Sequence, residues 1–139
     1  MRFIDSNVFI HAYIKPKRML QRHERMIKES AKEIIQRVND GEEVSTTVVH
    51  LGEMANLLEN FMQHNAALRV IRGILLKENI EVIEVCPEDY LSALPIAEEY
   101  GVSLNDALAY MVMRERDMRE IYSFDKDFDR FTDIVRISR

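Results

Sequence analysis

The chain alternates between short apolar runs and longer stretches in which apolar positions recur with the period of a helix. The short runs predict five strands, at residues 3–4, 43–47, 80–85, 121–124 and 134–137. The periodic stretches predict helices at residues 8–12, 20–38, 48–62, 66–77, 88–100 and 103–113. Strands that alternate with helices, without a linker or an internal repeat, predict an α/β layer sandwich around a mainly parallel sheet. We expect a single domain over residues 1–139.

The junction between the first strand and the first helix carries the sequence Asp5-Ser-Asn7. Phe3 and Ile4 form an apolar run without polar alternation, which is typical of a strand that is buried on both faces. In an open parallel sheet, ligands bind in the crevice outside the carboxyl ends of the strands, and Asp5 would lie there. The alternative is that Asp5 only caps the helix, since Asp, Ser and Asn are preferred capping residues.

Composition narrows the classes of protein that fit the chain. The 139 residues carry a formal net charge of -5, which does not suit a protein that coats nucleic acid by bulk charge, although a local basic patch is compatible with it. The single cysteine, Cys86, excludes an intrachain disulfide and a thiolate metal cluster, and we interpret it as a small buried apolar residue. No apolar run approaches the ~20 residues of a membrane span, so we expect a cytoplasmic protein without a membrane partner.

Four carboxylates occupy comparable places in this scheme. Asp5 follows the first strand and Asp125 the fourth, while Glu53 and Asp106 lie near the starts of helices. Clustered carboxylates repel one another unless a cation neutralises them, and oxygen ligands without His or Cys suit Mg²⁺ or Mn²⁺. Such a site would hydrolyse phosphodiesters, because a divalent ion activates water and offsets charge on the phosphate oxygens.

Each of these acids also has a purely structural interpretation. Asp106 could complete a capping box with Ser103, and Asp125 could cap the helical turn at residues 125–129. Glu53 could be an ordinary solvated helix residue. The four acids together favour a shared metal site.

With these residues in view, the chain resembles the PIN-domain family, and within it the small ribonucleases of the VapC toxin type. The likeness covers nearly the whole chain and rests on four segments. These are Asp5-Ser-Asn7, Val49-His-Leu-Gly-Glu53, Leu104-Asn-Asp-Ala-Leu108 and Ser123-Phe-Asp-Lys-Asp-Phe128.

The resemblance implies a three-layer α/β/α sandwich with strand order 3-2-1-4-5, and a Mg²⁺- or Mn²⁺-dependent endoribonuclease site. It implies that Asp5, Glu53, Asp106 and Asp125 hold the metal and form the catalytic group. Asn7 and Ser123 would orient these acids, and Asp127 would be a further acid. Proteins of this type are commonly homodimers and are commonly inhibited by a cognate antitoxin.

The dimer prediction has some support in the helices at residues 48–62 and 66–77, which should form a hairpin. Four apolar residues of the hairpin exceed what one narrow face requires, namely Met54, Leu58, Phe61 and Met62. An ordinary core face explains the same residues equally well. We predict a homodimer through this hairpin.

An acidic pocket repels RNA, so a basic rim must hold the backbone of the substrate. The candidate cations follow the first helix or flank Asp125, and they are Lys15, Lys17, Arg18, Arg22, Arg25, Lys126 and Arg130. His11 and His50 are interpreted as packing or supporting residues, because the mechanism needs no histidine.

The leading hypothesis is a metal-dependent endoribonuclease, and in particular the toxin of a toxin–antitoxin pair. One alternative is a receiver-like phosphoacceptor, although the third strand ends in Val85-Cys86 rather than in an aspartate. The other is a catalytically silent PIN-like module that binds RNA or protein, which the intact acidic set disfavours.

Overall fold

The computed structural model describes residues 1–139 and contains five strands and six α-helices. The strands are β1 (Arg2–Ile4), β2 (Val44–Thr47), β3 (Ile80–Ile83), β4 (Glu120–Tyr122) and β5 (Val135–Ile137). The helices are α1 (Ser6–Tyr13), α2 (Arg22–Asn39), α3 (Val48–Phe61), α4 (His64–Leu76), α5 (Pro87–Tyr100) and α6 (Leu104–Glu115), and a 3₁₀ helix spans Lys126–Arg130. No helix combines the length and the apolarity that a bilayer crossing needs.

All neighbouring strands are parallel, and their order across the sheet is β3-β2-β1-β4-β5. This confirms the parallel sheet and the strand order that the resemblance implied. A receiver domain has the order 2-1-3-4-5, so the receiver-like alternative is wrong.

The central strand β1 and its neighbour β4 are buried on both faces, which explains their unbroken apolar runs. Phe3 and Ile121 pack into one core with α5 and α6, whereas Ile4 and Tyr122 pack into the other with α1, α2, α3 and α4. Successive side chains of a strand point to opposite faces, so two short strands supply both cores. The three layers of the predicted sandwich follow directly.

The chain reverses its direction of travel across the sheet between β1 and β4. From β1 it moves outward through β2 to β3, and it then returns through α5 and α6 to β4 on the other side of β1. The carboxyl ends of adjacent β1 and β4 therefore frame the crevice in which open α/β sheets bind their ligands. The backbone N–H of Asp5 donates to the Tyr122 carbonyl at 3.0 Å, which fixes Asp5 beside the end of β4.

The segment after β3 differs from the sequence prediction. The strand ends at Ile83 rather than at Val85, and α5 begins at Pro87 in a first turn where a missing N–H costs nothing. Cys86 occupies the N-cap position of α5 and is exposed, so the prediction that it is buried is wrong. The helix runs on through Pro95 to Gly101, whose φ of 66° ends it.

The predicted hairpin of α3 and α4 is present, but its apolar residues divide between core and surface. Met54 and Leu58 are fully buried in the core of their own chain, so they cannot form part of an interface. Phe61, in contrast, is 60% exposed. The exposed apolar side chains of the hairpin are Val48, Leu57, Phe61, Leu68, Leu75 and Leu76.

Candidate active site

Asp5 is a buried carboxylate whose hydrogen bonds lead away from its own helix. It stands at the N-cap position of α1, but its side chain makes no capping hydrogen bond. Its Oδ2 accepts a hydrogen bond from Ser123 Oγ at 2.7 Å, and its Oδ1 accepts one from Ser6 Oγ at 3.4 Å. The interpretation of Asp5 as a simple helix cap is therefore wrong.

Ser123 connects the ends of β1 and β4. Its hydroxyl donates to Asp5 and accepts hydrogen bonds from Asn7 Nδ2 at 3.4 Å and from the backbone N–H of Asp125 at 3.0 Å. A hydroxyl has one donor and two acceptor sites, so Ser123 Oγ is fully used. Asn7 also accepts a hydrogen bond from the Phe124 N–H through Oδ1 at 3.4 Å. Asn7 and Ser123 thus lie beside Asp5 and Asp125, and their role in orienting these acids stays a prediction.

Three carboxylates form a tight group at this edge of the sheet. Oxygens of Asp106, Asp125 and Asp127 all lie within 4.8 Å of one another. Asp106 is in the first turn of α6, which Ser103 caps by accepting from the Asp106 N–H at 3.1 Å. Asp125 caps the 3₁₀ helix by accepting from the Asp127 N–H at 2.9 Å. At Asp125, the capping role and the place in the acidic group therefore coexist.

This group differs from the four acids named from the sequence. It includes Asp127, which the resemblance implies only as a further acid, and it does not include Asp5 or Glu53. Both of these acids are nevertheless electrostatically close. The negative charge of Glu53 raises the pKa of Asp5, and the charges of Asp5 and Asp125 raise that of Asp106.

The pKa shifts show how much negative charge converges here. Burial is the main cause that raises the pKa of Asp5 to about 6, aided by Glu53 and Asp125 and opposed by the hydrogen bond from Ser123. Burial likewise raises the pKa of Asp106 to about 7, and the carboxylates of Asp5 and Asp125 add to the shift. Uncompensated carboxylates in a partly dry site are an unfavourable arrangement unless a cation joins them.

The residues present fit a hard divalent cation. Every donor is a carboxylate oxygen, which suits Mg²⁺ or Mn²⁺. The basic side chain that approaches the group is Arg130, whose Nε lies 3.7 Å from Asp127 Oδ1, and both side chains of this pair are about half exposed. No lysine or arginine makes a buried ion pair with Asp5 or Asp106.

The cations predicted to bind RNA are all exposed, but three of them are engaged within the chain. Arg25 donates to the backbone carbonyl of Leu20 at 3.5 Å. Arg18 makes a forked contact with Glu24, at 3.0 and 2.6 Å. Arg130 donates to the backbone carbonyls of Tyr100 and Gly101 at the end of α5. Lys15, Lys17, Arg22 and Lys126 make no ion pair.

Three residues around the acids were not identified from the sequence. The Tyr90 hydroxyl donates to Asn105 Oδ1 at 2.8 Å, next to Asp106. Burial is the main cause that raises the pKa of Tyr90, and the negative charge of Glu53 adds to it. Arg136 contacts the Ser123 carbonyl. An arginine inside the apolar run of residues 134–137 was a usable signal, because a charged residue in a strand usually has a partner. Tyr90 and Asn105 carried no such signal in the sequence, because only the packing of α5 on α6 brings them together.

Fold and site define an α/β protein with an acidic group at the switch point of a parallel sheet. The family model described as PIN domain matches residues 2–134. The chain belongs to the PIN domain family, as its motifs predicted.

Two solved structures share the fold. VapC20 of Mycobacterium tuberculosis, described as a toxin that cleaves the sarcin-ricin loop, is 22% identical with a TM-score of 0.77, and 100% of each chain is covered. A toxin–antitoxin complex from Klebsiella pneumoniae is 12% identical with a TM-score of 0.67, and 97% of this chain and 96% of that chain are covered. At these identities the likeness establishes the fold. No curated protein sequence matches the chain significantly.

Proposed function

We propose that the chain is a Mg²⁺- or Mn²⁺-dependent endoribonuclease formed by a single domain over residues 1–139. The observation that carries the proposal is the group of Asp106, Asp125 and Asp127, with carboxylate oxygens within 4.8 Å, beside the buried Asp5. RNA is the substrate class because VapC20, which shares the fold, is described as cleaving an RNA loop. The role of toxin in a toxin–antitoxin pair belongs to the same proposal.

The acidic residues divide the work of the site. Asp106, Asp125 and Asp127 would hold the ion, with Asp5 and Glu53 as the further acids of the catalytic group. A bound Mg²⁺ or Mn²⁺ supplies Lewis acidity, which activates water and offsets charge on the scissile phosphate. Ser123 and Asn7 keep Asp5 and the backbone of Asp125 in register through the hydrogen bonds described above.

Substrate binding requires cations around this negative pocket. A cleft of about 260 Å³ lies between α1 and α2, and His11, Arg18, His23 and Lys28 are among its lining residues. His11 packs edge-to-face against Phe124, the neighbour of Asp125, at 5.5 Å between ring centroids. One wall of the cleft thus contacts the segment that carries Asp125, and the exposed Lys15, Lys17 and Arg22 are chain neighbours of its lining residues.

The decisive test uses end-labelled RNA, including one stem-loop with a sarcin-ricin loop sequence, in Mn²⁺, Mg²⁺ or chelator. We expect cleavage in either metal and none in chelator. Asp5→Asn and Asp106→Asn should each lower the rate by more than about 100-fold, because even hydrogen-bond partners of metal ligands cost 10–100-fold. Asp117→Asn is the matched control, since the side chain of Asp117 is 91% exposed and lies beyond the C-terminal end of α6, whereas Asp106 is in its first turn. Cleavage that persists in chelator, or in both site variants, contradicts the proposal.

The basic rim is tested separately from the chemistry. Lys17→Gln should raise KM and reduce the salt dependence of cleavage, because a phosphate contact is lost while the acids are unchanged. Arg119→Gln is the control, since its side chain is 79% exposed and lies away from the site. Equal KM values for the two variants would remove Lys17 from the rim.

Two partners complete the proposal. An antitoxin is proposed because the Klebsiella pneumoniae structure is a toxin–antitoxin complex, and the product of the neighbouring gene should bind the chain and suppress RNA cleavage.

A homodimer through the α3–α4 hairpin is proposed because six of the twelve exposed large apolar side chains lie on it. Light scattering should give a dimer mass that Phe61→Asp reduces to a monomer mass. Leu91→Asp, at an exposed position of α5, should leave the mass unchanged.

A further inference from the structure

Arg136 reaches from β5 across the segment that carries two of the clustered acids. Its Nε and Nη2 donate to the two carboxylate oxygens of Asp129, at 3.0 and 3.1 Å. Its Nη1 donates to the backbone carbonyl of Ser123 at 3.3 Å. The side chain is only 16% exposed, so this guanidinium is held in one orientation rather than moving freely in solvent.

The two partners of Arg136 bracket the acidic segment. Ser123 precedes Asp125 by two residues, and Asp129 follows Asp127 by two residues. One planar group therefore fixes both ends of the loop that places Asp125 and Asp127 within ligand spacing of Asp106. A guanidinium suits this task, because its rigid fork matches a carboxylate at two points whereas an ammonium provides a single point charge.

The segment needs such a restraint because its acids repel each other. Without a cation, the charges of Asp106, Asp125 and Asp127 favour a wider spacing. Ser123 adds to the constraint from the other side, since its hydroxyl holds both Asp5 and the Asp125 backbone.

We propose that Arg136 is a positioning residue of the acidic site, which holds Asp125 and Asp127 at the spacing that a divalent ion requires without itself touching ion or substrate. The proposal rests on the proposed function in assigning a divalent cation to these acids. The competing explanation is an ion pair that only joins β5 to the rest of the fold.

Mn²⁺ binding to the intact chain, measured by calorimetry well below the melting temperature of each variant, separates the two explanations. Arg136→Met and Asp129→Asn should each weaken Mn²⁺ affinity by about tenfold, as expected when the partners of metal ligands are lost. The double variant should bind Mn²⁺ no more weakly than Arg136→Met alone, because Arg136→Met already removes the contact with Asp129. Arg136→Lys should give an intermediate affinity, since it keeps the charge and loses the fork.

Arg116→Met is the matched control, because Arg116 pairs with Glu81 at the opposite end of α6 from Asp106. It should leave Mn²⁺ affinity unchanged. If Arg136→Met does not fold, Asp129→Asn and Arg136→Lys still provide the comparison.

Affinity equal to wild type in all Arg136 and Asp129 variants, with only a lower melting temperature, overturns the positioning role. Absence of Mn²⁺ binding by the wild-type chain overturns it as well. The RNA assay remains independent of this measurement. If Mn²⁺ binding depends on Arg136 but the chain cleaves no RNA, the proposed function is wrong and the positioning role stands. If the chain cleaves RNA but its Mn²⁺ affinity does not depend on Arg136, the proposed function stands and the positioning role is wrong.

Discussion

At the scale of single residues, the surroundings of Asp5 and Asp125 show why a sequence leaves a carboxylate's role open. Both residues stand at N-cap positions, where aspartate is common for local reasons. Asp125 does cap its 3₁₀ helix, whereas Asp5 bonds to Ser123, which is more than a hundred residues away in the chain. The hydrogen-bond partner of each carboxylate, rather than its N-cap position, distinguishes the capping residue Asp125 from Asp5.

The raised pKa of Asp106 predicts that removing its charge stabilises the metal-free protein. The pKa of Asp106 is about 7 in the folded chain, against 3.8 for an ordinary aspartate, so between these pH values the folded state retains a proton that the unfolded chain has released. This contribution to stability is fully present below about pH 4 and is lost as the pH rises through 7. At pH 8 in chelator, Asp106→Asn should raise the free energy of unfolding by about 1–2 kcal/mol, after allowance for partial exposure.

Urea denaturation at pH 8 and at pH 4 measures this effect. The gain should disappear at pH 4, where Asp106 is protonated in the folded protein. Asp117→Asn should show no gain at either pH. An Asp106→Asn protein that is less stable than wild type at pH 8 would contradict the repulsion that we infer among these acids.

At the scale of elements, some helix ends are fixed by a neighbouring residue and others by a residue that is distant in the chain. The end of α5 needs a residue with positive φ, and Gly101 provides it locally at 66°. The end of α1 is closed by a distant side chain instead. Lys28, on α2, donates to the carbonyls of His11 at 2.9 Å and Ile14 at 2.7 Å.

Two glycine substitutions should have opposite effects on stability. Gly101→Ala places a Cβ at a φ of 66° and 3.0 Å from Arg130 Nη1, so we expect a loss of about 1–2 kcal/mol. Gly73→Ala lies inside α4 with open space around it, and we expect a gain of up to about 1 kcal/mol from helix propensity. Denaturant midpoints for both variants measure the difference. If both substitutions changed the free energy of unfolding in the same direction, backbone conformation would not decide the effect at one of these positions.

Lys28→Met should destabilise the chain although it removes no ion pair. The two carbonyls that Lys28 caps would lose charge-assisted hydrogen bonds, at a cost of about 1–3 kcal/mol. Lys32→Met, one turn further along α2 at an exposed position, is the control and should have little effect. Thermal unfolding in chelator measures both. An unchanged Lys28→Met protein would mean that water replaces the ammonium group.

At the scale of the whole molecule, stability and the acidic site are coupled. The site concentrates negative charge in a chain whose net charge is already -5. A ligand that binds only the folded state at 100 times its Kd adds about 2.7 kcal/mol to stability. For a chain of this size, saturating Mn²⁺ should therefore raise the melting temperature by roughly 8 °C.

A site variant and a control variant serve as comparisons for this prediction. Asp125→Asn should reduce the Mn²⁺ shift, because one member of the carboxylate group is lost. Arg116→Met should retain it. A melting temperature that Mn²⁺ leaves unchanged would show that the acids do not form a cation site in the folded chain.

The sequence by itself determined the layers of the fold, because the local periodicity of apolar residues indicates which face of each helix or strand is buried. Phe3 with Ile4 indicated a strand that is buried on both faces, and both side chains are fully buried in the structure. The family motifs then implied the strand order. Boundaries were less certain at β3 and α5, where Pro87 and Cys86 are compatible with either a strand end or a helix start.

Only the tertiary structure decided which acids come together. The sequence favoured Asp5, Glu53, Asp106 and Asp125, whereas the tight group contains Asp127 in place of the first two. The exposure of Cys86 and the burial of Met54 and Leu58 within one chain were settled in the same way. The physical reason is that periodicity reports the environment of one element, while ligand spacing depends on how separate elements pack to within a few ångströms.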